Sequence, residues 1–399
     1  MMMKTRIAVL FFLAVSPCVV LFAQPPDRAD FRITNGVLVE YTGNKTTLVI
    51  PADWGIIAIG EWAFIECRDL VTLSLPAGIT NIGNSAFSGC DSLVSISLPA
   101  GVTSIGDGAF YDCYSLASIS LPAGITNVGN SAFSGCDSLV SISLPAGVTS
   151  IGDGAFYNCY SLTSISLPAS VTGIGSGVFE KCTSLTRITI DPRNKFYASR
   201  DGVLYNKTET VLVQYPAGRE EIRYSIPAGV TSIGSAAFSD CSGLTSISLP
   251  AGVTSIGDSA FSLCSGLTSI SLPAGVTSIG DWAFYKCGSL TSISLPASVT
   301  SIGDSAFSDC SGLTSISLST GVTSIGDWAF SGCSSLTSIS LPASVTSIGR
   351  EAFSYCNRLT SISLPASVTS IGSGAFFLLQ PSYFDKPARQ CYQHWEWTL

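Results

Sequence analysis

Charge is scarce in this 399-residue chain: only 12% of its residues are Asp, Glu, Lys or Arg, and the formal balance is −8. Lys and Arg form no clusters, so the counterion release that drives nucleic-acid binding has no carrier. No nucleic-acid partner is expected, and an anionic membrane surface is disfavoured for the same reason. Histidine is nearly missing, His394 being the only one. A Ser-His-Asp or Cys-His arrangement would have to be built around that lone imidazole in an irregular tail, so the chain does not read as an enzyme. No C-x-x-C pair and no local Cys/His cluster supplies tetrahedral zinc ligands, and neither a metal nor a cofactor is expected. After residue 23 no apolar run reaches the roughly 18 to 20 residues needed to span a bilayer, so the chain without its leader is not expected to be an integral membrane protein.

What is present begins with that leader. Lys4 and Arg6 form a basic start, and Ile7 to Ala23 is an apolar stretch broken only at Ser16, Pro17 and Cys18. Residues 1–23 therefore read as a signal peptide. Cleavage near Ala23 is favoured over acylation of Cys18, which Pro17 fits poorly, and over an uncleaved anchor. The protein is expected to be exported, and either held at the cell surface or outer membrane or secreted.

Repetition dominates the rest. Phe64, Phe87, Phe110, Phe133, Phe156 and Phe179 are 23 residues apart, and the same beat runs from Phe238 through Phe376. Twelve of the 14 cysteines keep it too, at Cys67 through Cys182 and Cys241 through Cys356. In the unit Leu267 to Ser289, residues Leu267, Ile270 and Leu272 have the L-x-x-L-x-L spacing of leucine-rich repeats. Period-2 alternation turns Ile270 and Leu272 inward and Ser269 and Ser271 outward. Pro273-Ala274-Gly275 turns the chain, Val276 and Ile279 point inward again, and Ala283-Phe284 opens a segment expected to be helical or 3₁₀ and to end at Cys287. The expected fold is an α/β solenoid of 23-residue coils, with short parallel strands on one face and short helical or 3₁₀ segments on the other. One coil alone offers about eight inward apolar side chains against about 1 to 2 kcal/mol of backbone entropy per residue. Such a coil folds only against its neighbours.

The LPAGVTSIGDSAF and CSSLTSISLP pattern, covering about residues 31 to 376, resembles the BspA-like, or treponemal-type, leucine-rich repeats. The resemblance implies a cell-surface or secreted protein of host-associated microbes. It also implies host or microbial surface proteins as partners, fibronectin or fibrinogen among them, with roles in coaggregation and attachment. The function expected on this basis is an exported binding protein, an adhesin for extracellular-matrix proteins or neighbouring cells. The alternative is a structural or periplasmic scaffold without such a ligand.

The array has breaks. Phe179 and Phe238 are 59 residues apart, which leaves an island whose runs Asp201–Tyr205 and Val211–Pro216 read as a hairpin. Residues 35–41 and 48–51 repeat that grammar at the N-terminal end. The resulting layout is a signal peptide over 1–23, an N-terminal cap with a hairpin over 24–58 and a first array over 59–186. A hairpin island over 187–226, a second array over 227–376 and a cap or tail over 377–399 complete it. Asn44 and Asn206 head Asn-Lys-Thr sequons that read as plain turn residues. Residues 79–124 and 125–170 differ at only four places, the mark of a tandem duplication.

Candidate binding positions are those that vary or stand outside the core pattern. Trp62, Trp282 and Trp328 precede the inward Phe by two residues, and Tyr111, Tyr157 and Tyr285 follow it directly, where most other coils carry Ser or Gly. Aromatics of this kind are enriched in binding hot spots, with lateral packing between coils as the other reading. The strand serines, among them Ser95, Ser97, Ser141, Ser143, Ser269 and Ser271, form a neutral hydroxyl ladder. It would serve either as a solvated face or as a surface for a repetitive partner. Asp107, Asp153, Asp258, Asp281, Asp304 and Asp327 share one turn position, as solvated turn residues or as a stripe too sparse in oxygens for calcium. The cysteine ladder has three readings: buried thiols acting as small apolar residues, paired rungs, or metal ligands.

Overall fold

The structure is a computed structural model that describes residues 26–379. The expected leader with Cys18, and the tail beyond residue 379 with Cys391 and His394, lie outside the described residues.

Each coil places a three-residue strand such as Ser269–Ser271 on one side and a two-residue strand such as Ser278–Ile279 on the next. Both kinds stack in parallel with no stagger: Ser246 pairs with Ser269 and Ile247 with Ile270, and Ser278 pairs with Ser301. The zero register follows from the constant 23-residue repeat, because any slip would move Ile270 from the core to the solvent face. The result is a solenoid of about 15 coils. That exceeds the thirteen phenylalanine coils because Tyr41 and Tyr215 take the phenylalanine place in two further ones. Tyr41 lies on Phe64 at 5.4 Å and Tyr215 on Phe238 at 5.2 Å.

The third side of the coil corrects the sequence expectation. No helical segment follows Ala283-Phe284. Instead Ala283 N donates to Gly280 O, Tyr285 N to Trp282 O and Cys287 N to Phe284 O, a chain of consecutive turns. The intervening N–H groups of Trp282, Phe284 and Lys286 donate to Asp304, Ala306 and Ser308 of the next coil. Two residues per coil, here Trp282 (φ 60°) and Lys286 (φ 56°), are left-handed and cannot belong to a right-handed helix. The physical reason is spacing: coils stacked as parallel strands rise about 4.8 Å each, whereas an α-helix with its side chains is about 10 Å across. A turn ladder keeps all three sides at one spacing. Among the described residues the 3₁₀ turns are Arg28–Asp30 and Ala52–Trp54, both near the N-terminus.

Inside, the phenylalanines form one continuous column in each array. Phe110 and Phe133 lie 5.4 Å apart and 1° from parallel, and Phe307 and Phe330 repeat that geometry. A centroid distance longer than the coil rise means the rings are offset, the favoured stacking mode, worth about 0.5–1.5 kcal/mol per pair beyond area burial. Glycine is required where the coils approach most closely: a Cβ on Gly106 would lie 2.6 Å from Asn84 N, and one on Gly129 2.6 Å from Asp107 N.

At the N-terminal end, Phe31–Thr34 pairs antiparallel with Val37–Tyr41 around Asn35-Gly36, both left-handed as a type I′ turn demands. The segments read as hairpin partners from sequence, 35–41 and 48–51, therefore belong to different sheets. Val37–Tyr41 joins Ala58–Ile59, while Thr47–Val49 joins Thr72–Ser74. Between the arrays, Val203–Asn206 pairs antiparallel with both Tyr197–Arg200 and Val211–Gln214. Its alternation divides two hydrophobic cores: Leu204 packs into the first, Val203 and Tyr205 into the second.

Candidate binding surface

Four side-chain columns hold coils together. Each aspartate of the turn stripe accepts the backbone N–H of the equivalent residue one coil on, Asp281 N to Asp258 Oδ1 at 3.0 Å, Asp304 N to Asp281 Oδ1 at 2.8 Å and Asp327 N to Asp304 Oδ1 at 2.7 Å. Asn84 and Asn130 do the same among Asp107 and Asp153. Among the described residues no group of three or more His, Cys, Asp or Glu side chains is arranged to hold a metal ion.

The cysteine column is a row of free thiols, all buried except the half-buried Cys67. In ten of the twelve the Sγ points at the carbonyl of the phenylalanine in the preceding coil, as from Cys136 to Phe110 at 3.2 Å and from Cys310 to Phe284 at 3.0 Å. That carbonyl already accepts an N–H from its own coil, Cys113 N to Phe110 O, so the thiol occupies its second lone pair. Burial pushes the Cys136, Cys241 and Cys264 thiols well above their ordinary range, and Cys356 up to about 12. The reactive thiolate is thereby suppressed. Threonines form two further columns, Thr268 Oγ donating to Thr245 O at 3.1 Å in one and Thr277 Oγ to Thr254 O at 3.3 Å in the other.

The strand serines are different. Ser95, Ser97, Ser141, Ser143, Ser269 and Ser271 are all exposed on the sheet face, flanking buried isoleucines. The aromatic candidates do not converge on one place. Trp282 and Tyr285 meet edge to face at 5.0 Å within one coil. Trp328 lies two coils on, and the Arg350 guanidinium sits 3.9 Å over its ring, so this tryptophan packs laterally against the next coil. Lys181 covers Tyr157 at 4.8 Å. Trp62, Tyr111 and Trp282 stay largely open to solvent.

Sequence reasoning passed over residues one turn further along the coil. Asp91, Tyr114, Asp137 and Tyr160 stack in successive coils of the first array, as the bonds Ser115 N to Asp91 O, Ser138 N to Tyr114 O and Ser161 N to Asp137 O establish. Val94 and Val140 lie beside them, in a column traced by Ala117 N to Val94 O and Val140 N to Ala117 O. Tyr114, Tyr160, Val94 and Val140 are each between 42% and 49% exposed, more than core packing requires. The signal was available: the second array carries Ser and Thr at these positions, as in Ser265 and Thr268. Burial and then the neighbouring Asp112 raise the Asp137 carboxyl, and the adjacent Asp112 carboxylate raises the Tyr114 hydroxyl.

Clefts occur where the arrays join. One, of about 550 Å³, is lined by Thr186, Arg187, Asp201, Arg219, Glu220 and Glu221. Arg219 is held there by Glu221, at 3.0 Å from Nε to Oε2.

Comparison with known proteins matches the profile of the BspA type leucine rich repeat region over residues 39–136, 103–225, 220–310 and 277–387. The chain belongs to the BspA-type leucine-rich repeat family. It is similar to a solved leucine rich cell surface protein of Faecalibacterium prausnitzii A2-165, with 30% identity, TM-score 0.63, and 86% of this chain and 92% of that one covered. A leucine-rich repeat protein of Eubacterium ventriosum shares 27% identity at TM-score 0.61, over 80% of this chain and 90% of that one. The pneumococcal vaccine antigen PcpA, at 24% identity and TM-score 0.63 over 89% and 93%, shares the fold. No curated protein matches the sequence. The BspA-type repeats form a family of binding repeats, and among the described residues no helix is long and apolar enough to cross a membrane.

Proposed function

We propose that this protein is exported and displayed at the cell surface, where it binds host extracellular-matrix proteins or neighbouring cells as an adhesin. The observation that carries the reading is the division of labour along the coil. Thiol, carboxylate and threonine columns are consumed in joining coils, while the serine face and the exposed aromatics are left outward. A relative described as a cell surface protein supports the location, and the basic and apolar leader over residues 1–23 supports export. Residues 59–186 and 227–376 are the two binding arrays in this reading, joined by 187–226. Trp62, Tyr111, Trp282 and Tyr285, with the flanking serines, are the contact candidates, and fibronectin and fibrinogen are the partners implied by family resemblance.

Purified protein should bind an immobilised matrix protein saturably, and removal of one duplicated block, residues 125–170, should weaken binding while the remainder stays folded. Intact cells should lose the protein to external protease. Failure to bind across a panel of matrix proteins and glycans, together with protection from protease, would contradict the adhesin reading and favour a periplasmic scaffold.

A further inference from the structure

The two arrays share one backbone plan but differ at one corner, the bend between the turn ladder and the serine strand. In the second array that corner is plain: Ser242, Ser265, Ser311 and Ser334 follow the cysteines, and threonine follows each strand-leading leucine. In the first array the same positions alternate acid and aromatic, Asp91, Tyr114, Asp137 and Tyr160, beside Val94 and Val140. Since the second array folds on Ser and Thr, neither the aromatic rings nor the carboxylates at this corner are needed for folding.

The charge of the corner is one-sided. Asp91 meets Arg68 at 3.6 Å, whereas Asp112 and Asp137 have no cationic partner among the described residues. Asp112 also lies against the next coil, its Oδ1 2.1 Å from where a Cβ on Gly135 would be. Exposed rings with valines at their side and carboxylates between them complement a partner that is apolar and positively charged. Spacing narrows this further. Equivalent groups recur every two coils, about 10 Å, and a chain in the extended polyproline II conformation, with three residues per turn at about 3.1 Å each, returns to the same side after about 9.3 Å. The duplication of 79–124 as 125–170 repeats the motif in register, and two linked contacts of this kind gain by effective concentration.

We propose that this corner of the first array is a docking edge for an extended, basic polypeptide segment running along the solenoid axis. Arg or Lys of the partner pairs with Asp112, Asp91 and Asp137, its aliphatic residues cover Val94 and Val140, and Tyr114 and Tyr160 stack on the guanidinium or ammonium groups. This rests on the binding function proposed above and names the partner class for one of its surfaces.

The test uses two fluorescein-labelled peptides, repeats of Arg-Gly-Leu and of Glu-Gly-Leu, titrated with the purified protein and followed by anisotropy. The Arg peptide should bind saturably and weaken as salt is raised, and the Glu peptide should not bind. Combining V94T, Y114S, V140T and Y160S installs the residues the second array already uses and leaves net charge unchanged. It should weaken Arg-peptide binding at least tenfold. A second variant, D91S with D137S, should flatten the salt dependence and also weaken binding. Equal binding of both peptides, or undiminished binding by both variants, overturns the assignment. If the variants still bind matrix protein while the unaltered protein ignores the Arg peptide, the docking edge fails and the wider binding function stands. If nothing binds in any arm, both fail.

Discussion

At the scale of single residues, the thiol column makes the clearest prediction. Burial holds Cys136, Cys264 and Cys356 protonated in the fold, well above the ordinary thiol value of 9.0. Above pH 9 the unfolded chain releases thiol protons that the native one keeps, so the unfolded state binds fewer protons and stability falls as pH rises. The contribution is complete below the unfolded value and is lost as pH climbs toward the folded value, about 12 for Cys356. Each such thiol costs up to about 1.4 kcal/mol per pH unit over that window. Denaturant midpoints measured from pH 7 to 11 should drop steeply above pH 9, and Cys264→Ala should make the slope shallower by about one proton. A flat profile would contradict thiol burial. Ser319 gives an opposite case: it stands where other coils carry the turn proline, and its hydroxyl is buried with no partner among the described residues. Ser319→Pro should raise stability by about 0.5–2 kcal/mol, from removal of an unsatisfied donor and of unfolded-state freedom, as read from the urea midpoint.

At the scale of the element, the turn ladder decides what a substitution does. Ser131 is left-handed at φ 51°, between coils that carry Gly108 and Gly154 at the equivalent place. Ser131→Gly should therefore stabilise by about 1 kcal/mol, because the left-handed penalty disappears. In a helix the same change would cost about that much, so the sign of the shift in thermal midpoint separates the two backbone descriptions. This is also where sequence reading stopped short. The strand side was legible, since Ser269, Ile270, Ser271 and Leu272 alternate out and in with period two. The Ala283-Phe284 segment looked helical because Ala, Phe and a polar run suit a helix start. The contrary signal was Gly at positions 108, 154 and 177 and again at 89, 135 and 332, marking two left-handed places per coil. Tyr41 and Tyr215 were missed although each stands 23 residues before a core phenylalanine, because the beat was followed through one residue type. The Asp91 to Tyr160 column was passed over although the serines at the same places in the second array marked it as variable, since its members are unlike each other and become neighbours only through stacking.

For the whole molecule, the same fact explains both robustness and function. Every coil uses identical ladders to meet the next, so coils can be added or removed in register, as the duplication of residues 79–124 attests. Outward positions are thereby free to change without loss of the fold, and the two arrays have used that freedom differently. The direct measurement is urea unfolding of the protein lacking residues 125–170. Surface exposed on unfolding sets the slope, and two of about 15 coils are lost, so the m-value should fall by about one eighth while the transition stays cooperative. A chain that no longer folds, or an unfolding slope that does not change, would contradict a stack of interchangeable coils held by their neighbours.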